Sequence, residues 1–188
     1  MAEGSVADNG VRFGRARSAD RKSPDDKSDL TTYMPQRSRL STTLCGVAGE
    51  YFVAAELSRR GYVASLTLRN TRGIDVLASN ANATKSVGIQ VKAMQGSGKE
   101  WMLSQKIESE VATNLFYVFI RLNDLASPEY FVVPKEAAAE YARSNHARWL
   151  ATPGRKGQAH NETTMRKFAD PDNQYLDRWD LLGLDDEA

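Results

Sequence analysis

From Leu44 onward the chain switches between two hydrophobic periods. Val47, Ala54, Leu57 and Gly61 recur at helical spacing and predict a first helix from about Leu44 to Arg60, capped by Thr42 or Thr43 and stopped by Gly61. Glu50 lies on the same stripe, where an unpaired carboxylate facing a core is costly. Two readings stay open for it: a surface residue at the stripe's edge paired with an arginine, or a group aimed into a site made by the strands that follow.

The period then shortens to two. Tyr62 to Leu68 reads as a strand, residues 69 to 73 as a turn, and Ile74 to Leu77 and Val87 to Ala93 as a pair of strands. Gln95 to Lys99 is a Gly/Ser loop after which Trp101 anchors the return, as a packed aromatic rather than a base-stacking platform. Ser104 to about Thr113 predicts a short helix. Leu115 to Leu122 is nearly all apolar and predicts a central strand buried on both faces. Glu129 to Val133 is a shorter strand, and Pro134 opens a helix over Lys135 to Asn145. Residues 153 to 157 form a basic turn. Tyr175 to Leu182 predicts a closing amphipathic helix ended by Gly183, with Trp179 and Leu182 packed on the domain and Asp185, Asp186 and Glu187 in solvent. The order helix, three strands, helix, strand, strand, helix predicts an α/β sandwich around a mixed sheet.

The paired strands carry polar side chains that such apolar runs do not need. Gln90 and Lys92 share one face of their strand, while Ile89, Val91 and Ala93 share the other. A hairpin centred between Asn82 and Ala83 sets Asp75 across from Gln90, gathering a carboxylate, an amide and an ammonium on one sheet surface.

At 188 residues and 41% hydrophobic, the chain has enough for one ordinary core. The expected division is a disordered arm over 1–40, poor in apolar periodicity, a core domain over 41–150, and a C-terminal tail over 151–188 whose short helix packs on the core. The formal net charge of +1 excludes a polycation, so any nucleic-acid contact must come from a local patch. In the arm, Asp20, Asp25, Asp26 and Asp29 dilute Arg12, Arg15, Arg17, Arg21 and Lys22 into a solvated tail. The single cysteine, Cys45, excludes an internal disulfide and reads as a small buried residue near a helix start. Neither a spanning segment nor a leader is legible, and the protein is expected to be soluble and cytoplasmic.

Asp75, Gln90 and Lys92, preceded by Glu50 on a helix, resemble the PD-(D/E)xK nuclease superfamily. Gly73-Ile74-Asp75 and Ile89-Gln90-Val91-Lys92 are most similar to the Mrr-type restriction endonucleases and related resolvase-like nucleases, in which Gln can take the middle acidic position. The resemblance covers roughly residues 44 to 133. It implies a restriction-endonuclease-like αβββαβ core and a metal-dependent DNA endonuclease of restriction, repair or mobile-element defence.

On that resemblance Asp75, the Gln90 amide oxygen and the Val91 carbonyl are metal ligands for Mg2+ or Mn2+, with Glu50 either binding through water or steering Lys92. Lys92 orients the attacking water and stabilises charge growing on phosphorus. Gln90 brings an oxygen without a charge, so weaker magnesium binding and better activation by manganese are expected. Arg69, Arg72, Lys99, Lys106, Arg155 and Lys156 are the candidate DNA contacts, each also readable as a solvated surface charge. Cutting two strands with one site per subunit favours a homodimer. With His146 and His160 the only histidines, a zinc site is not expected, and no nucleophile elbow is present. The alternatives are a non-cleaving nucleic-acid-binding or assembly protein that keeps the fold, and a small structural domain whose tails recruit partners.

Overall fold

A computed structural model describes residues 39–68, 73–96, 98–109 and 112–185. The predicted arm, apart from its last two residues, Arg69, Arg72, Asp186 and Glu187 lie outside the described residues. The described residues belong to one compact unit. Among the described residues no helix is long and apolar enough to cross a membrane.

Helix α1 (Thr42–Arg59) is capped by Ser41, in extended backbone, whose hydroxyl accepts from the Leu44 N–H at 3.2 Å. The threonines expected to cap it sit inside its first turn instead. At the other end the Tyr62 N–H reaches the Leu57 carbonyl and the Gly61 N–H that of Ser58, with Gly61 at φ +90°. This pair of bonds is a Schellman stop that only a residue tolerant of positive φ completes readily, as the sequence predicts.

The buried line of α1 is Cys45, Gly49, Val53 and Leu57 rather than the expected Val47, Ala54, Leu57 and Gly61. Small residues explain the shift. A Cβ on Gly49 would stand 2.6 Å from the Ala93 Cβ and 3.1 Å from a methyl of Ile120, so the helix lies closer to the sheet than a larger residue would permit.

Strands β1 (Val63–Leu66), β2 (Val76–Ser79), β3 (Ser86–Met94), β5 (Leu115–Arg121) and β6 (Glu129–Pro134) form one sheet in the order β1-β2-β3-β5-β6. Only the β3–β5 pair is parallel. Between those two the chain forms β4 (Glu100–Ser104) and a 3-10 turn (Gln105–Glu108), where a helix over Ser104–Thr113 was expected. Strand β4 pairs with β7 (Met165–Ala169) in a second, two-stranded sheet. The buried Arg166 of β7 ion-pairs with Glu108 and, at 3.5 Å, with Glu162, and Gln105 N–H bonds the Thr164 carbonyl. That anchorage stops the turn from growing into a helix.

Both faces of the five-stranded sheet are covered. Val76, Ile89, Val118 and Ile120 pack with Val53 and Leu57 of α1 on one side. On the other, Phe119, Phe131 and Val133 pack with Trp101, Phe168 and the alanines of α2 (Lys135–Ala151). Strand β5 is therefore buried on both faces as predicted, and its alternate side chains serve different cores. Phe119 stacks on Phe168 with centroids 4.3 Å apart.

The closing helix expected over Tyr175–Leu182 is only a 3-10 turn, Trp179–Leu182, although Gly183 ends it at φ +63° and both Trp179 and Leu182 are buried as expected. The preceding residues run along β6 instead: Val132 N–H donates to the Tyr175 carbonyl and Asp177 N–H to that of Tyr130. An edge strand's unpaired main chain competes for such partners. Asp185 is exposed, as expected, and also accepts from the Tyr62 hydroxyl.

The close α1–β3 approach is testable by paired substitutions. Gly49→Ala should lose about 1–3 kcal/mol through overpacking, read as a lower urea midpoint at unchanged slope. Gly46→Ala, with nothing within 4 Å of its Cβ, should gain about 0.5–1 kcal/mol as a helix-interior glycine replacement. Equal stability of the Gly49 variant and the parent would contradict the packing.

Candidate active site

The site begins where β2 leaves β3. Main-chain bonds across an antiparallel pair alternate, and the Asn80 N–H bonds the Lys85 carbonyl at 3.3 Å. With Ala78 opposite Val87 and Val76 opposite Ile89, the next bonded pair in a regular ladder would be Ile74 with Val91. It does not form that way. The Val91 N–H donates to Oδ2 of Asp75 at 2.8 Å, while the Ile74 carbonyl accepts from the Thr67 hydroxyl at 2.6 Å.

Asp75 is tethered on both sides by its own backbone as well. Its N–H donates to the Ile89 carbonyl at 2.8 Å and its carbonyl accepts from the Thr67 N–H at 3.0 Å. Gly73, at φ +67°, makes a turn that a residue with a Cβ would enter only with strain. Sequence and turn together peel β2 away while leaving its carboxylate on the main chain of β3. Where the strands pair, the register is the expected one, ending at Val76 opposite Ile89; at Asp75 the regular ladder stops, because its N–H also turns to the Ile89 carbonyl.

Gln90 and Lys92 lie on the β3 face that carries Tyr117 of β5, since Gln90 pairs with Tyr117 and Lys92 with Phe119 in the parallel register. Gln90, Lys92 and Tyr117 line a cavity of about 710 Å³, completed by Gly73, the β4–turn segment and Lys135 at the start of α2. Burial first, and the Asp75 carboxylate second, push the Tyr117 phenol up to about 12. The second cause places acid and phenol within electrostatic reach of each other. The structure thus puts Gln90, Lys92 and Tyr117 in one cavity wall and holds the Asp75 carboxylate on the adjoining main chain of β3, outside the residues that line the cavity.

These donors suit a hard cation. Gly88 N–H bonds Asn114 on the β5 side, so alternate residues of β3 turn their main chain toward β5 and the intervening ones, Val91 among them, toward β2. The Val91 carbonyl therefore faces the side that β2 vacates, where the Asp75 carboxylate lies. Carboxylate, main-chain carbonyl and amide oxygen are ligands for magnesium or manganese rather than zinc. Among the described residues no group of three or more His, Cys, Asp or Glu converges on a metal position, so any charge on the ligand set comes from few carboxylates.

The remaining candidates are scattered. Half-buried Glu50 belongs to α1, whose Gly49 packs on Val91 and Ala93, the face of β3 opposite Gln90 and Lys92. It is not among the residues lining the cavity. Lys106 lines it, whereas Lys99, exposed before β4, does not. Arg155 and Lys156 follow the C-terminal end of α2, a helix of 17 residues, so about 25 Å of helix separates them from Lys135. Tyr117 and Lys135 were not singled out from the sequence. A phenol inside the apolar run of β5 was the available signal for the first.

No protein-family model and no curated protein matches the sequence. Among solved structures, the chain is similar to Hjc of Archaeoglobus fulgidus, a Holliday junction resolvase from an archaeal hyperthermophile, at 14% identity and a TM-score of 0.39, covering 66% of this chain and 84% of that one. At that level the likeness decides neither fold nor activity.

The link between Asp75 and Tyr117 has a spectroscopic consequence. A folded-state pKa above the unfolded value near 10 contributes stability that is complete below pH 10 and is lost as pH rises through about 12. In Asp75→Asn the Tyr117 midpoint, followed by NMR of ring-labelled tyrosine, should fall yet stay above 10, because burial, the larger cause, persists. An unchanged midpoint would separate the carboxylate from the ring.

Proposed function

We propose that this chain is a metal-dependent nuclease that hydrolyses phosphodiester bonds in DNA, with a site of the PD-(D/E)xK kind in its Gln variant. One observation carries the reading: the Asp75 carboxylate is held on the Val91 N–H, between the positions from which Gln90 and Lys92 enter a common cavity. Asp75, Gln90 and the Val91 carbonyl would hold the cation, with Glu50 an outer contributor through water.

The bound cation supplies Lewis-acid polarisation of a phosphate oxygen and a lower pKa for the attacking water. The chain supplies the rest. Lys92 directs its ammonium at the reacting phosphate, orienting the water and balancing charge that develops in the transition state. Asp75 is fixed by Val91, so its carboxylate needs no reorganisation on binding. The Tyr117 hydroxyl stays protonated to about pH 12 and is a hydrogen-bond donor throughout the working range. Soluble DNA endonuclease action in restriction, repair or mobile-element defence, from a cytoplasmic homodimer, is the setting this chemistry suits.

The uncharged Gln90 also supports a second reading, a non-cleaving nucleic-acid-binding protein on the same frame. Plasmid and single-stranded DNA incubated with Mg2+ or Mn2+ separate the two. Cutting should fall about 10²-fold or more in Lys92→Ala and in Asp75→Ala. Gln90→Glu, by adding a charge, should tighten Mn2+ binding about tenfold, equivalent to about 1.4 kcal/mol. Binding without cutting under both metals would select the second reading.

A further inference from the structure

The cavity beside Asp75 contains more positive charge than one reacting phosphate requires. Lys92, Lys106 and Lys135 all line it, and no aspartate or glutamate is among its lining residues. Among the described residues none of these three lysines takes part in an ion pair, whereas Lys167 is bound to Glu100 at 2.7 Å and Arg121 to Glu129 at 2.8 Å. Among the described residues, exposed Lys99, Arg155 and Lys156 have no carboxylate partner either, so what distinguishes these three is that they line one concave space. Unneutralised ammonium groups converging in a concave space raise the local potential for anions.

Position divides the three into two groups. Lys92 projects from β3 beside Gln90, at the proposed reaction point. Lys106 comes from the 3-10 turn after β4, and Lys135 opens α2, which packs on that turn. Ser104 and Ser109, on either side of the turn, add hydroxyls to the same wall.

We propose that Lys106 and Lys135 form a second phosphate subsite, which takes a phosphodiester adjacent to the one at Gln90 and Lys92 on the same nucleic-acid strand. The inference rests on the nuclease reading for the identity of the ligand, and it adds Lys135 as a positioning residue. Its role is electrostatic and independent of base sequence: the ammonium groups set the register of the strand so that one phosphate falls at Lys92. A cavity of about 710 Å³ has room for more than one phosphate group.

The test is metal-free binding of a fluorescent oligonucleotide to the full chain, titrated over a range of salt concentrations. Each lysine that neutralises a phosphate contributes about 0.7–0.9 to the slope of log affinity against log salt. Lys106→Gln and Lys135→Gln should each lower that slope by about that amount for several unrelated sequences. Arg143→Gln, on an exposed position of α2 paired with Glu140, should leave it unchanged. In cutting assays the two lysine variants should raise KM more than they lower kcat. Glutamine keeps the stem, and circular dichroism confirms folding; should Lys135→Gln fail to fold, Lys106→Gln alone decides. Unchanged slopes, or no salt-dependent binding by the parent, overturn the subsite. A parent that never cuts, whose binding slope still falls in both variants, defeats the nuclease reading and leaves the subsite standing.

Discussion

A single hydrogen bond organises the site: the Val91 N–H donating to Asp75. A main-chain donor in the middle of a buried strand must be satisfied, and a regular ladder would satisfy it with the Ile74 carbonyl. Because the carboxylate takes that place, β2 can leave the sheet without orphaning its neighbour. The acid is therefore part of the sheet as well as part of the site. An alanine at this position removes charge and acceptor together, leaving a donor that costs about 1–3 kcal/mol when buried and unpaired. An asparagine removes the charge and keeps an oxygen, which is why it separates the electrostatic role from the structural one.

The rest of the fold decides on which side that acid is reachable. Helix α1 lies close against β3 through Gly49, closing the face of Val91 and Ala93. On the opposite face β4, the 3-10 turn and α2 cover Phe119 and Phe131, yet leave Tyr117, Gln90 and Lys92 at the wall of a cavity. Alternation along β5 makes this possible. Val118 and Ile120 supply one core and Phe119 the other, while Tyr117, one step earlier on the second face, puts a phenol at the boundary between core and cavity.

What could be read from the sequence was what local chemistry determines. The β2–β3 register followed from the symmetry of one hairpin, the stop of α1 from Gly61, and the double burial of β5 from an unbroken apolar run. What was missed depends on distant partners. Trp101 and Leu103 alternate with exposed Glu100, Met102 and Ser104, but the apolar Met102 blurs the period. Their partner strand lies some sixty residues onward and turns an arginine inward. Arg166 can be buried only because Glu108 and Glu162 meet it, and no single-strand pattern records that compensation. The same limit explains α1. Its buried line contains Cys45 and Gly49, weak hydrophobic signals whose value lies in the closeness they allow, so the stripe read from the larger apolar residues was displaced from the one that packs. Lys135 was invisible because an exposed-looking residue after Pro134 gives no sign of the cavity it will line.

The charges in the cavity set an order of events on the proposed reading. Asp75, beside the cavity rather than in its lining, brings one negative charge, and Gln90 brings none. Three lysines without ion-pair partners face the same space. A divalent cation approaching the empty cavity meets net positive charge at short range, and a few ångströms between unit charges is worth about 4 kcal/mol at the effective dielectric of a protein surface. Phosphates reverse that field. If Lys106 and Lys135 take a strand as proposed, its binding would come first, and the anionic oxygens it delivers would complete a cation site that the chain's own ligands only begin. On the proposed reading an uncharged Gln90 need not mean an idle site: in a cavity so rich in ammonium groups, a bound phosphate would supply the negative charge that the amide does not.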